Sequence, residues 1–458
     1  MSALDIARAV TTGKMSALAS TEAALTRIAE RDKILNSFTD VTAERARERA
    51  KAVDAAIAAG KNPGPLAGVP FAVKNLFDVK GLSTRAGSKI NRERTKASRD
   101  ATLVERLEAA GAVLVGALNM GEYAYDFTGE NIHDGNACNP HDVTRMTGGS
   151  SGGSGGAVGG ALVPLALGSD TNGSIRVPSS FCGVFGLKPT YGRLSRARSF
   201  SFVYSFDHVG PLARSVGDLA AAYDVMQGPD ADDAACTTRP VEPVLSSLDQ
   251  DIGNLRIAIA GGYFQKNLFP EATEAVGRVA KALGASRTVE IPEAARARAA
   301  AYVISTCEGA SLHLDRLRAR PDDFDPAVRD RLIAGAMIPA PMVDRAQKFR
   351  RWYRARVAEL FRSVDVILAP ATPCVAPKIG QVNFTLDGVE MPVRANIGIH
   401  TQPISFIGLP VVAVPVPLEP MPIGVQIITA PWREDIALRV AAALERQGVA
   451  SAPPPRGI

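Results

Sequence analysis

Two serines and a lysine in this 458-residue chain are of types that could together attack a carbonyl: Ser150, Ser174 and Lys74. Ser150 lies in Met146-Thr147-Gly148-Gly149-Ser150-Ser151-Gly152-Gly153-Ser154-Gly155-Gly156. Ser174 follows 24 positions later, in Gly168-Ser169-Asp170-Thr171-Asn172-Gly173-Ser174-Ile175-Arg176. Glycine-rich turns leave the main chain open to a second molecule. Four chemistries fit the first run. A flexible Gly/Ser linker is the plainest, but apolar segments flank it rather than complete domains. A phosphate cradle needs the lysine of GxxxxGK[ST], which is missing. A nucleophile elbow fits GxSxG in two frames, Gly149 to Gly153 and Gly152 to Gly156. It needs a strand directly before it, whereas residues 139–145 read as loop. Within this third reading, a Ser-His-Asp triad through His208, His313 or His400 stays open. The fourth reading joins Lys74 to both serines.

Lys74 ends the apolar stretch Leu66-Ala67-Gly68-Val69-Pro70-Phe71-Ala72-Val73-Lys74. Such a lysine usually snorkels to water. Buried, it becomes a base, because burial disfavours the charged form. Moving its pKa from about 10.4 to about 7–8 takes roughly 4 kcal/mol of differential desolvation. A neutral lysine could then deprotonate one serine through another. The Asn-Gly turn before Ser174 could aim consecutive N–H groups at a developing oxyanion, each worth about 3 kcal/mol in the transition state.

The elements that hold these residues alternate between strands and helices, which predicts an α/β fold. Residues 1–60 read as helices, with Thr42 as an N-cap. Strands are expected at 66–75, 112–116, 165–168, 255–260, 288–291, 364–369, 411–416 and 424–428. Helices are expected at 100–110, 154–163, 216–226, 271–283, 293–317, 326–362 and 434–446. No composition break marks a boundary, so a single domain over 1–458 is expected, with 1–65 as a helical region available to a partner. Composition excludes other classes. The net charge is +5, and basic residues are scattered, so no nucleic-acid stripe is visible. Five cysteines show no pair or CxxC spacing, which argues against disulfides and zinc and suits the cytoplasm. No segment reads as a signal peptide or a membrane span.

Taken together, several motifs resemble the amidase signature family over nearly the whole chain. They are Gly68 to Lys74, Gly148 to Ser154, Gly168 to Pro178, Phe181 to Thr190 and Pro422 to Ile428. The resemblance implies an α/β/α sandwich about a twisted mixed sheet, with no cofactor and no metal. It also implies a Ser-cisSer-Lys triad: Ser174 as nucleophile, Ser150 as relay after a cis peptide, and Lys74 as base. Ser151 would support the relay. The main-chain amides of Thr171, Asn172, Gly173 and Ser174 would form the oxyanion hole. Two positions depart from the family pattern. Asn75 stands where an Asp is usual, and Asn172-Gly173 where Gly-Gly is usual; asparagine tolerates the left-handed region that such a turn could demand.

Two branches of the family fit. One hydrolyses linear amides and ureas of the biuret type with ammonia release, and this is the expected activity. The other supplies the glutaminase component of tRNA-dependent amidotransferases. Either implies a small helical partner resembling the smallest, helical component of those amidotransferases (the C-type chain), in a homo- or hetero-oligomer, without membrane or nucleic acid. Substrate contacts are expected from Tyr123, Tyr125, His400 and Gln402. Arg196, Arg198 and Arg316 are candidates to bind an anionic substrate, while Arg176 reads as structural.

Overall fold

Apolar runs build one large sheet, and its strand ends place the site. The computed structural model describes residues 1–455. Its strands are β1 (Phe38–Val41), β2 (Pro70–Lys74), β3 (Val113–Leu118), β4 (Leu165–Asp170), β5 (Phe185–Lys188), β6 (His208–Ala213), β7 (Ile257–Ala260), β8 (Arg287–Val289), β9 (Val366–Pro370), β10 (Asn383–Leu386), β11 (Val389–Pro392), β12 (Val411–Val416) and β13 (Ile423–Thr429). Eleven of them form a mixed sheet in the order β1-β3-β2-β4-β6-β5-β12-β13-β9-β7-β8, and β10 and β11 form a separate hairpin. β2 runs parallel to both β3 and β4, with Val73 opposite Leu167. The carboxyl ends of β2 and β4 therefore leave the sheet side by side, where open α/β sheets tend to bind ligands.

Helices cover the sheet: α1 (Ala3–Thr11), α2 (Ala17–Leu35), α3 (Ala43–Ala58), α4 (Thr102–Ala109), α5 (Gly152–Gly159), α6 (Arg176–Phe181), α7 (Val216–Met226), α8 (Pro270–Ala282), α9 (Ala294–Ala319), α10 (Pro326–Ala336), α11 (Ala340–Leu360), α12 (Val393–Asn396), α13 (Gln402–Ser405) and α14 (Glu434–Arg446). All eight residues of α5 are buried. Glycine is a poor helix former, at about 1 kcal/mol against Ala, so packing must impose this helix. A Cβ at Gly153 would strike the main chain of Asn119 and the Ser37 carbonyl. Only glycine lets α5 lie that close to the strand ends.

The structure departs from the expected elements in several places. The N-terminal region is not wholly helical: β1 joins the sheet edge antiparallel to β3. The region is also tied down, since Asp218 accepts hydrogen bonds from the amides of Ala3 (2.8 Å) and Leu4 (3.0 Å) at the start of α1. Thr42 does not cap α3 with its side chain; its hydroxyl donates to the Leu114 carbonyl instead. The expected helix at 326–362 is two helices, broken where Pro339 cannot continue the hydrogen-bond ladder. β5 and β6 were hidden by Gly186 and Pro211, residues that argue against strand interiors. A second, smaller apolar cluster of Met146, Val177, Phe181, Phe384, Leu386 and Ile397 seats the β10–β11 hairpin. No helix among the described residues is long and apolar enough to cross a membrane.

Candidate active site

Lys74 is the last residue of β2 and is fully buried. Its Nζ lies 2.7 Å from Ser150 Oγ, 3.0 Å from Ser151 Oγ and 2.9 Å from Ser169 Oγ. Burial pushes its pKa down to about 7, and the nearby charges of Asp170, Asp207 and Asp126 only partly oppose this. A neutral amine has two protons to donate and one lone pair. Ser151 Oγ already donates to the Ser169 carbonyl (3.1 Å), so it accepts from Lys74. With Ser169 Oγ taking the second amine proton, the lone pair is left for the Ser150 hydroxyl. That arrangement leaves Lys74 Nζ and Ser150 Oγ close enough, at 2.7 Å, to exchange a proton. The Gly149–Ser150 peptide is cis. The turn carrying it is stitched to the segment after β3: Gly149 N donates to the Phe127 carbonyl (2.7 Å), and Gly121 N to the Ser150 carbonyl (3.2 Å). Asn75 serves elsewhere, accepting from Gly87 N (3.1 Å) and donating to Thr39 Oγ1 (3.2 Å).

The second turn leaves β4 at Asp170 and closes on itself. Asp170 forms a two-bond ion pair with Arg176 (2.9 and 3.0 Å), both side chains fully buried, and accepts from Ile175 N (3.2 Å). Burial would raise this carboxyl, but the Arg176 charge and hydrogen bonds hold it well below the usual carboxylate range. Arg176 also reaches the Thr401 carbonyl (3.1 Å) and Gln426 Oε1 (2.6 Å). The turn is clasped from below, as expected of a structural Arg176. Positive φ falls on Gly173 (146°) and not on Asn172, so tolerance of asparagine for the left-handed region is not what preserves the turn. A side chain at Gly173 would strike Thr401. The amides of Thr171, Asn172, Gly173 and Ser174 donate to no acceptor among the described residues. They remain available to an oxyanion.

Ser174 opens onto a cavity of about 250 Å³, lined also by Tyr125, Asn172, Phe202, Arg331 and Gln402. No hydrogen bond joins Ser150 to Ser174. Catalytic hydrogen bonds are often long without substrate and tighten on binding. Of the expected substrate residues, Tyr125 and Gln402 line the cavity, and Tyr123 and His400 do not. Tyr123 sits at φ 50°, and its ring packs inward against His313 (3.9 Å) and Phe200 (5.5 Å). Its hydroxyl accepts from Ser88 (2.7 Å). His400 is fully buried, 3.1 Å from the Lys266 carbonyl, and burial lowers its pKa to about 4. Both are packing residues.

The three cations expected to meet an anionic substrate are occupied away from this cavity. Arg196 pairs with Asp233 (2.9 Å) between the rings of Tyr191 and Tyr204. Arg198 pairs with Asp232 and Glu105. Arg316 lies over Phe200. The cavity holds two other arginines instead. Arg394 is neutralised by Asp126 (2.6 Å) and Glu130 (3.1 Å). Arg331, on α10, has no acidic partner among the described residues. Its guanidinium lies 3.9 Å from the Tyr125 ring centre. Its Nε donates to the Ala327 carbonyl (2.7 Å) and one Nη to the Tyr125 carbonyl. Sequence reasoning missed Arg331, since α10 carries no motif and its arginines read as a solvated face.

Comparison with known proteins identifies the family. The family model described as Amidase matches residues 19–438. The chain is 52% identical over 453 residues to the AtzE component of 1-carboxybiuret hydrolase from Pseudomonas sp. (strain ADP), covering 98% of this chain and 99% of that one. It is 39% identical over 468 residues to the GatA-type component of glutamyl-tRNA(Gln) amidotransferase from Azotobacter vinelandii, covering 95% of each. Among solved structures, one described as a vestigial protein complex that reveals the origins of an s-triazine catabolic enzyme superposes with a TM-score of 0.98. Its identity is 52%, over 99% of this chain and 100% of that one. A bacterial aryl acylamidase superposes with a TM-score of 0.88 at 25% identity, over 97% and 96%.

Proposed function

The chain belongs to the amidase signature family, and on that premise we propose that it hydrolyses a linear amide or urea C–N bond with ammonia release, acting on 1-carboxybiuret or a biuret-type compound in s-triazine breakdown. The observation that carries this reading is Lys74, buried and pushed to about 7, with its Nζ 2.7 Å from Ser150 Oγ beside a cavity that Ser174 lines. In this reading Ser174 Oγ attacks the carbamoyl carbon. Its proton passes to Ser150, and the Ser150 proton to Lys74. The amides of residues 171 to 174 hold the oxyanion. Lys74 then returns the proton, through Ser150, to the departing nitrogen. Ammonia leaves, and water cleaves the acyl-Ser174 ester by the same relay. Arg331, with no acidic partner among the described residues, lines the same cavity and suits a substrate carboxylate.

The amidotransferase alternative rests on the lower identity of 39% against 52%. A small helical chain like the C-type component of the amidotransferases is the proposed partner, and the solved relative is itself described as a protein complex. We take residues 1–458 as one amidase domain, with 1–65 offering the partner contact. Five unpaired cysteines support a reducing, cytoplasmic setting. The test is ammonia release from a panel of amides and ureas. Release from biuret-type compounds that disappears in Ser174→Ala is expected; no release from any member of the panel contradicts the reading.

A further inference from the structure

Gln402 is 5% exposed, and what it exposes borders the cavity beside Ser174. Its Oε1 accepts from Arg298 Nε at 2.9 Å. Arginine has no acceptor, so this contact fixes which end of the carboxamide is which: oxygen toward Arg298, nitrogen away from it. The Nε2 group, with two protons, makes no hydrogen bond among the described residues. Arg298 is itself held, through Nη2 to the Ala395 carbonyl (2.8 Å) and Asn396 Oδ1 (2.9 Å). The proline at 403 and the short helix α13 fix the main chain that carries Gln402. A clamped donor pair, with no partner among the described residues, sits on a residue that is itself mostly buried and borders the space where a substrate must lie.

We infer that Gln402 Nε2 donates to the second carbonyl oxygen of a dicarbonyl substrate, and that Arg298 is the positioning residue that holds Gln402 in the donating sense. The inference rests on the proposed biuret-type activity and adds the group that reads its second carbonyl. A biuret skeleton has one carbonyl at Ser174 and the next two bonds further along. Gln402 distinguishes that skeleton from a simple amide or monosubstituted urea, which has nothing to offer its protons. A buried donor left without a partner disfavours such ligands.

The experiment compares two reactions of the same serine. One is ammonia release from biuret and from 1-carboxybiuret. The other is labelling of Ser174 by a small fluorophosphonate, which has no second carbonyl. Gln402→Leu and Arg298→Leu are expected to lower kcat/KM for the biuret compounds by at least about tenfold, mainly through KM. The labelling rate should stay within about twofold, well short of the tenfold loss expected for the biuret compounds. Arg298→Lys, which keeps a donor for Gln402 Oε1, should recover part of the loss. Unchanged biuret turnover in Gln402→Leu, or labelling that falls in step with turnover, overturns the inference. If the unsubstituted protein labels at Ser174 but releases no ammonia from either compound, the substrate reading itself fails.

Discussion

As the proposed base, Lys74 can act only while it is neutral. Its pKa of about 7 follows from burial, which the charges of Asp170, Asp207 and Asp126 only partly oppose. Protonation therefore removes the base, and kcat/KM should fall about tenfold per pH unit below about 7 and level off above it. A profile still flat at pH 5.5 would show that Lys74 is not the group that titrates. Arg331 yields a second expectation. Arg331→Gln should raise KM at least about tenfold for a carboxylated biuret and change uncharged biuret little; equal effects on both would deny it the carboxylate. Lys74, Ser150 and Ser174 were singled out by several family motifs taken together, since the Gly/Ser run alone fits several chemistries and a strand-end lysine usually snorkels to water. The packing roles of Tyr123 and His400 were not, because a loop position does not reveal which way a ring turns. Arg331 was invisible for the converse reason: only the fold shows that it has no carboxylate beside it, while Arg196 and Arg198 do.

At the scale of elements, the site depends on two turns at neighbouring strand ends. The Asp170–Arg176 clasp shapes the turn before Ser174, and α5 holds the turn that carries Ser150. Asp170→Asn would leave Arg176 buried with its charge unmatched. Breaking a buried pair from one side costs roughly 3–5 kcal/mol. The denaturation midpoint should drop accordingly, and activity should be lost with it. A variant of native stability would mean that the clasp is not needed to hold the turn. The strands that matter, β2 and β4, were readable as apolar runs. β5 and β6 were not, because Gly186 and Pro211 contradict local strand preference and only pairing with neighbours overrides it. The glycines of α5 showed that a helix there had to be imposed from outside, but not by what; Asn119 and Ser37 are the answer.

At the scale of the whole molecule, the N-terminal region is part of the sheet rather than an appendage. β1 covers the edge of β3, and α1 is capped by Asp218 from α7. Deleting residues 1–41 should expose that edge and give an insoluble chain or one whose thermal transition falls by several degrees or more, roughly 1 °C for each kcal/mol lost in a chain of this length. A truncated protein of unchanged melting temperature would return the region to the status of decoration. The α/β class followed from the alternation of strands and helices, and the mixed sheet between helical layers from the resemblance to the amidase signature family. The register that brings the ends of β2 and β4 together did not, since it depends on parallel pairing between segments nearly a hundred residues apart.

Everything proposed for the chemistry depends on Ser174 carrying the acyl group and on Lys74, through Ser150, making it reactive. Mass spectrometry of peptides from protein treated with a fluorophosphonate reads both at once. The adduct is expected on Ser174 in the unsubstituted protein, absent in Ser174→Ala, and formed far more slowly in Lys74→Ala. An adduct on Ser150 or Ser151, or a labelling rate indifferent to Lys74→Ala, would overturn the assignment of nucleophile and base.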